Sequence, residues 1–294
     1  MLKQSFVHLP GVGPLTEKKL WQMGVLNWDQ LRKKAPGLFK QPKATAILER
    51  LDQCERALEK KDFYFFSGVL PKDQHWRVLP EIPNVLDRIA YLDIETTGLG
   101  FPPSSESTAI TFYYQGQVLQ AHEHAQKKKL IQTILAEKPI LVTFFGQAFD
   151  VPFLTQEYGV KFDCVHLDLC FWLKRQGYKG GLKKIQKLFS DIPSRLSMDI
   201  DGYDAVRLWK FHQRGVQGAL DTLLTYNAED TIVLEPLFVK AYNHELEVFP
   251  NCQVKRLEPR ALPELKTHLF PEIYGLLRSG GPKPIQVEDP HAVG

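Results

Sequence analysis

An apolar run, RIAYLDIE, ends in two carboxylates two positions apart, Asp93 and Glu95. Its aromatic and branched residues read as a strand, and side chains at i and i+2 share one strand face, so the acids lie side by side. Like charges that close repel, and burial makes them costlier still. No basic residue near them in the sequence is placed to neutralise both. A fold that uses this strand needs a divalent cation, a shared proton or basic groups from elsewhere in the chain to offset the pair. Thr96, Thr97 and Gly98 come next and allow a sharp turn.

The surroundings of that strand set the fold class. From about Val85 to Glu245, candidate strands RIAYLDIE, STAITFYYQ, QVLQAHEH, PILVTFF and FDCVHL are interleaved with helical stretches. These run over about Lys127 to Ala136, Phe149 to Tyr158, Leu169 to Gln176, Leu182 to Phe189, Tyr203 to Gln213 and Val216 to Tyr242. A strand, a hairpin joined at QGQ, then alternating helix and strand predict an α/β domain, a mixed β-sheet flanked by helices, over residues 85–245. Residues 1–40 read as a small helical segment: a glycine turn in LPGVG, a helix from near Pro14 to Gly24, and a second over about Asn27 to Lys34 that ends before Pro36. Residues 41–84 read as a helix to Glu59 and an aromatic, proline-punctuated connector expected to pack against the next domain. Residues 246–294 read as a C-terminal tail with too little apolar content to pack firmly.

Two further segments carry acids toward the end of the first strand. In TFFGQAFDVPFL, Asp150 lies just past an apolar strand at the start of a helix, where a single acid is ordinarily a cap. In YNAEDTIVLEPL, Tyr226 and Asp230 are four apart and share a helix face, ordinarily a solvated one. In an open α/β sheet, ligands collect at the carboxyl ends of the parallel strands, where Asp93, Glu95 and Asp150 all emerge. Oxygen ligands there suit Mg2+ or Mn2+, and no His or Cys cluster competes for a softer metal. Two such ions about 4 Å apart stabilise both the attacking and the leaving oxygen of an in-line phosphoryl displacement.

Composition narrows the setting. The 294 residues are 44% apolar, enough for a sizeable core; 37 basic against 34 acidic residues leave only +3, so a polyanionic partner has to be met by a local basic strip. No apolar run nears the roughly 20 residues of a membrane span. The start, MLKQSFVHLPGVG, lacks a secretory core. Cys54, Cys164, Cys170 and Cys252 make neither a CxxC pair nor a zinc spacing, so reduced thiols and a cytoplasmic protein are expected.

In order, DIETTG, AFD and YNAED resemble the three motifs of the DEDD superfamily of 3′–5′ exonucleases, which have a ribonuclease H-like fold. The last matches the tyrosine variant, YxxxD; Thr225 stands where the histidine variant has its His. The wider stretch from about Ile89 to Tyr242, with HLDLCFWLKRQG, GGLKKIQKLF and DIDGYDAVRLW, is similar to YprB-type exonucleases, which also tend to carry LPGVG ahead of the nuclease. The resemblance implies two-metal hydrolysis, with Mg2+ or Mn2+, of phosphodiester bonds in DNA or RNA from 3′ ends. It implies that Asp93 bridges both ions, that Glu95 and Asp230 complete the ligands of one ion, that Asp150 serves the other ion, directly or through water, and that Tyr226 orients the attacking water. There is one departure: Phe145 stands where the family often has an Asn five residues before the second-motif Asp, and Phe cannot hydrogen-bond the motif's backbone or the nucleotide.

LPGVG also resembles the hairpin of a helix-hairpin-helix motif, in which the backbone at Gly11 and Gly13 holds a phosphate, with Lys18 and Lys19 following; the plain alternative is a tight turn. A second basic strip, LKRQGYKGGLKKIQK, offers Lys179, Lys183 and Lys184 to a polyanion and Tyr178 to a base. Thr96, beside the acid pair, joins these nucleic-acid candidates. His166 and Asp168 read as helix-start caps and Lys127, Lys128 and Lys129 as a solvated run. The partner implied is nucleic acid with single-stranded or frayed 3′ ends; nothing points to a membrane, and protein partners are not legible. The alternative is a binding module on the same fold that has lost turnover, although all four acids are present. A haloacid dehalogenase-type phosphatase, suggested by DIETT, needs Asp at the second acid.

Overall fold

Strand β1 (Ile89–Thr96) holds the middle of a five-stranded sheet of order β3-β2-β1-β4-β5, with β2 at Ser107–Tyr114, β3 at Gln117–Ala121, β4 at Ile140–Thr143 and β5 at His166–Asp168. A computed structural model of the chain describes residues 1–194, 197, 200–249, 253–265 and 270–279. β1 runs antiparallel to β2 and parallel to β4, and β2 antiparallel to β3, so the sheet is mixed. A strand paired on both sides and covered on both faces must be apolar nearly throughout. In β1 every residue except Asp93 is buried. The β2–β3 turn, Gln115 and Gly116, has φ of +52° and +77°, the left-handed pair whose twist suits a two-residue hairpin.

The β1–β2 ladder slips by one residue between Glu95 and Thr96: Glu95 faces Ala109, but Thr96 faces Ser107. Beyond this bulge the chain leaves the sheet as a loop whose neck is closed by Thr97 N–H to the Glu106 carbonyl (2.9 Å) and Glu106 N–H to the Thr97 hydroxyl (3.1 Å). Leu99, 91% exposed, and Phe101 lie on that loop.

The chain divides into two units. The first comprises Met1–Leu86, Cys164–Leu167 and Tyr242–Leu257. It contains helices α1 (Pro14–Gln22), α2 (Trp28–Leu38), α3 (Lys43–Glu59) and α4 (Phe63–Val69), with 3-10 turns at Leu2–Gln4 and Lys72–Glu81. α2 runs past Pro36, where the sequence predicts a stop, because Leu31 and Ala35 are buried and Leu38 packs on the same core. The connector packs into this unit's core through Phe66, Leu70 and Val78.

A buried ion pair ties the first unit together. The Arg77 guanidinium donates to both oxygens of Glu17 (2.7 and 3.0 Å) and to the Ser5 hydroxyl (2.6 Å), and Glu17 also accepts from the backbone N–H of Phe6 (2.6 Å) and Val7 (3.2 Å). Beside it, burial and the Arg77 charge pull the His8 imidazole down to about 3, so it is neutral between Trp28 and Phe66. Cys54, Cys164 and Cys170 form no disulfide among the described residues, and burial pushes the Cys54 thiol up to about 12. Cys252 lies outside the described residues.

The second unit, Asp87–Asp163 and Asp168–Ala241 with the chain from Glu258, contains the remaining helices, the last but one of which runs on past Ala241 into the first unit. They are α5 (His124–Ala136), α6 (Asp150–Tyr158), α7 (Leu169–Arg175), α8 (Leu182–Gln186), α9 (Gly202–Gln213), α10 (Ala219–Ile232), α11 (Leu234–Val248) and α12 (Pro271–Ser279). The single helix expected from Val216 to Tyr242 is two, α10 and α11: Pro236 in the first turn of α11 has no N–H for the Ile232 carbonyl, so the first helix ends there. In the expected tail, α12 buries Ile273 and Leu277 against Leu208 and Leu223, and Arg260 binds buried Glu235 (3.1 Å) and Asp87 (2.6 Å). Lys127, expected in solvent, is buried and donates to the Ser107 carbonyl, because three successive helix positions span too wide an arc for all to face water.

Candidate active site

Four acids meet at the end of β1. Its two-residue period puts Asp93 and Glu95 on one face, and α10, packed on β1 and β2, brings Asp230 to them. One carboxylate oxygen from each of Asp93, Glu95 and Asp230 lies within 4.8 Å of the others. Asp150 opens α6 and is buried, close enough to the strand acids for its charge and those of Asp93 and Glu95 to act on one another, while the backbone at Asp150 and Ile94 favours its ionised form. Burial first, then the Asp93 and Asp150 charges, hold the Glu95 carboxyl well above its usual range, and Lys183 pulls in the opposite direction. Burial and then Asp93 raise the Asp150 carboxyl in the same way. An all-carboxylate cluster, buried and with its charges repelling one another, matches the donor set of a hard divalent cation.

Lys183 therefore stands inside the constellation. Its ammonium lies 4.5 Å from the centroid of the Tyr226 ring and within electrostatic reach of Glu95, so a basic partner for the acid pair does exist, brought in by α8. Tyr226, four residues before Asp230 on α10, is buried, its ring packed among Ile200, Leu208 and Leu223. Lys179 and Lys184 are exposed on the flank leading to α8. Tyr178 packs on Phe189, with ring centroids 5.1 Å apart.

Thr96 is buried and donates its hydroxyl proton to the Gly98 carbonyl (2.7 Å), closing the turn after the acids. In the first unit, Gly11 adopts φ +65° and its carbonyl accepts from Lys43 (2.9 Å), while Gly13 caps α1 in an extended conformation; both glycines are exposed. A 3-10 turn, Leu2–Gln4, stands ahead of this hairpin.

Sequence reasoning missed two residues. Asp168 does cap α7, through Cys170 N–H (3.0 Å), but it also accepts from the backbone N–H of Phe145 and Gln147 (2.9 Å each), whereas His166 belongs to β5. The backbone that an Asn at position 145 was expected to hold is thus held by a carboxylate from another segment, and Phe145 takes up φ +68° with its ring 5.9 Å from that of Phe171. Asn227, fully buried on α10, donates from Nδ2 to Asp93 Oδ2 at 2.7 Å. Nothing in the sequence marks it apart from its place between Tyr226 and Asp230.

Among the described residues no helix is long and apolar enough to cross a membrane. No curated protein matches the chain. A family model for the RNase_H superfamily matches residues 90–242, a span that holds β1 with its acid pair, Asp150, and the α10 residues Tyr226 and Asp230. With an α/β mixed sheet flanked by helices and a match over just over half of its length, the chain belongs to the RNase H superfamily.

Proposed function

We propose that the chain is a 3′–5′ exonuclease that hydrolyses phosphodiester bonds of DNA or RNA with two Mg2+ or Mn2+ ions. The observation that carries this is the convergence of Asp93, Glu95 and Asp230, with Asp150 against the same strand. Asp93, Glu95, Asp150 and Asp230 are the residues that hold the ions, which when bound supply Lewis acidity to the scissile phosphate and charge to the leaving oxygen. The Tyr226 hydroxyl orients the attacking water, and Lys183 offsets part of the repulsion on Glu95. Asp168 fixes the turn that delivers Asp150. The direction of attack, from a single-stranded or frayed 3′ end, is supported by the resemblance of DIETTG, AFD and YNAED to the DEDD motifs, and the cysteine usage supports a cytoplasmic setting.

The test is a cleavage ladder on 5′-labelled single-stranded DNA and RNA with Mn2+. Stepwise shortening is expected. Discrete internal products would point to endonuclease action, and intact substrate at every metal concentration would remove the nuclease reading.

Within that reading, Tyr226→Phe keeps the ring under Lys183 and deletes only the hydroxyl. The lost transition-state hydrogen bond is worth roughly 2–4 kcal/mol, so kcat is expected to fall by about 10²- to 10³-fold while Mn2+ affinity stays unchanged. An unchanged kcat, with chemistry confirmed as the slow step, would reduce Tyr226 to a packed residue.

The exposed hairpin at Gly11 and Gly13 is proposed to hold a phosphate of longer substrates. Gly13 is the position to test, because an added Cβ there meets nothing within 4 Å, whereas Gly11 needs its left-handed φ. Gly13→Ala should weaken binding of a long oligonucleotide several-fold and leave hydrolysis of a dinucleotide unaltered. Equal losses on both would show that the turn serves only the fold.

A further inference from the structure

We infer that Asn227, braced by Thr111 and Gln120, is a positioning residue that holds Asp93 in its metal-binding rotamer. The inference rests on the reading of the acid cluster as a metal centre and names groups that the cluster itself does not contain.

A row of hydrogen bonds crosses from the outer strand to the acid. Gln120 on β3 donates from Nε2 to the Leu224 carbonyl and to the Thr111 hydroxyl, both at 2.8 Å. The Thr111 hydroxyl donates to Asn227 Oδ1, and Asn227 Nδ2 donates to Asp93 Oδ2 at 2.7 Å. Thr111 lies directly opposite Asp93 in the β1–β2 register, so both side chains rise from the same face of the sheet toward α10.

The direction of every proton in this row is fixed by its two ends. A carboxylate only accepts, so the face of Asn227 toward Asp93 must be its NH2, which leaves its carbonyl for Thr111. Thr111 then has to give its one proton to Asn227 and accept from Gln120, whose second N–H is already given to a backbone carbonyl. No member is able to turn over without leaving two acceptors or two donors face to face. Such a network locks rotamers, and a charge-assisted bond at its end is the strong kind.

Asp93 is the acid that needs holding. It repels both Glu95 and Asp150, and unlike them it is only half-buried, so rotation toward water would relieve the repulsion. Asn227 opposes that rotation by its bond to Oδ2. Asn in mid-helix is also a weak helix former, which the side-chain bonds at both of its ends offset.

The test measures Mn2+ binding to the full chain by calorimetry beside circular dichroism and melting in EDTA. Asn227→Leu removes the donor to Asp93, and Thr111→Val keeps the shape of its side chain and removes the hydroxyl that orients Asn227. Changes to groups that orient a metal ligand typically cost about 10- to 100-fold in metal affinity. Asn227→Leu is expected in that range and Thr111→Val at its lower end, with Thr111→Ser restoring the parent Kd. The double variant should bind Mn2+ no more weakly than Asn227→Leu, because both changes act along one row. A purely structural role would lower the melting temperature and leave the Kd of the folded protein where it was. Folded Thr111→Val protein with the parent Kd overturns the inference, even if Asn227→Leu does not fold. A parent chain that takes up neither Mn2+ nor Mg2+ overturns the metal centre together with what is built on it.

Discussion

Asp93→Asn is expected to reduce metal-dependent cleavage by about 10³-fold or more, several kcal/mol of transition-state stabilisation, and at the same time to make the metal-free protein melt higher. The two effects have one source. Burial does most to raise Glu95 and Asp150, and Asp93 is the charge that adds to it at both, so its removal lets those two ionise at less cost in the folded state. Relief of a single pKa unit corresponds to about 1.4 kcal/mol. An Asn at this position still presents a carbonyl to Asn227 Nδ2, so the local bond survives the change. In Mn2+ the order of melting temperatures should reverse, because the parent gains stability from a bound ion and the variant gains far less. Cleavage at near the parent rate would refute the assignment of Asp93, and a lower melting temperature in EDTA would refute the claim of repulsion.

Arg77→Met is expected to destabilise the first unit by about 3–5 kcal/mol, the usual cost of leaving one member of a buried ion pair unpaired. Glu17 would keep its bonds from Phe6 and Val7 but lose the two from the guanidinium, inside a region where it is 1% exposed. The double variant Glu17→Gln with Arg77→Met should recover much of the loss, since a neutral amide still accepts from the same N–H groups. Urea unfolding followed by tryptophan fluorescence reads this directly, because Trp28 lies in the same core. A change below about 1 kcal/mol would mean that water reaches Glu17 and that the pair is a surface feature in effect.

The centre of the sheet was the most legible part of the chain, and the reason is local. β1 and β2 are rich in aromatic and β-branched residues, and the two-residue spacing of Asp93 and Glu95 needs no tertiary information to place both acids on one face. Pro236 carried the signal for the break between α10 and α11, but the unbroken apolar pattern on either side overrode it. Similarly, the spacing of Ile273 and Leu277 marks a helix face that the surrounding prolines concealed. Lys183 and Asp168 were visible as charges but not as neighbours of the acids, because their positions depend on how α8 and β5 return to the sheet. Asn227 was illegible for a different reason: a buried amide in mid-helix has no sequence signature until the strand opposite it is known.

The closed neck between Thr97 and Glu106 separates two rates of permissible change in this chain. Upstream of it, β1 is locked by pairing on both sides, and a shift of one residue would carry Asp93 and Glu95 to the opposite face. Beyond it, the loop with Leu99 and Phe101 is held, among the described residues, by the neck, by the Thr96 hydroxyl on the Gly98 carbonyl, and by contacts of Gln156, Phe149 and Phe153 with Pro102 and Phe101. Lengthening such a loop costs an entropy that grows only with the logarithm of its length, about 0.6 kcal/mol per doubling. The segment nearest the acids is therefore open to insertion, deletion and exchange of its apolar tip while the acids stay fixed, so that surface can be rewritten without disturbing the carboxylates beside it.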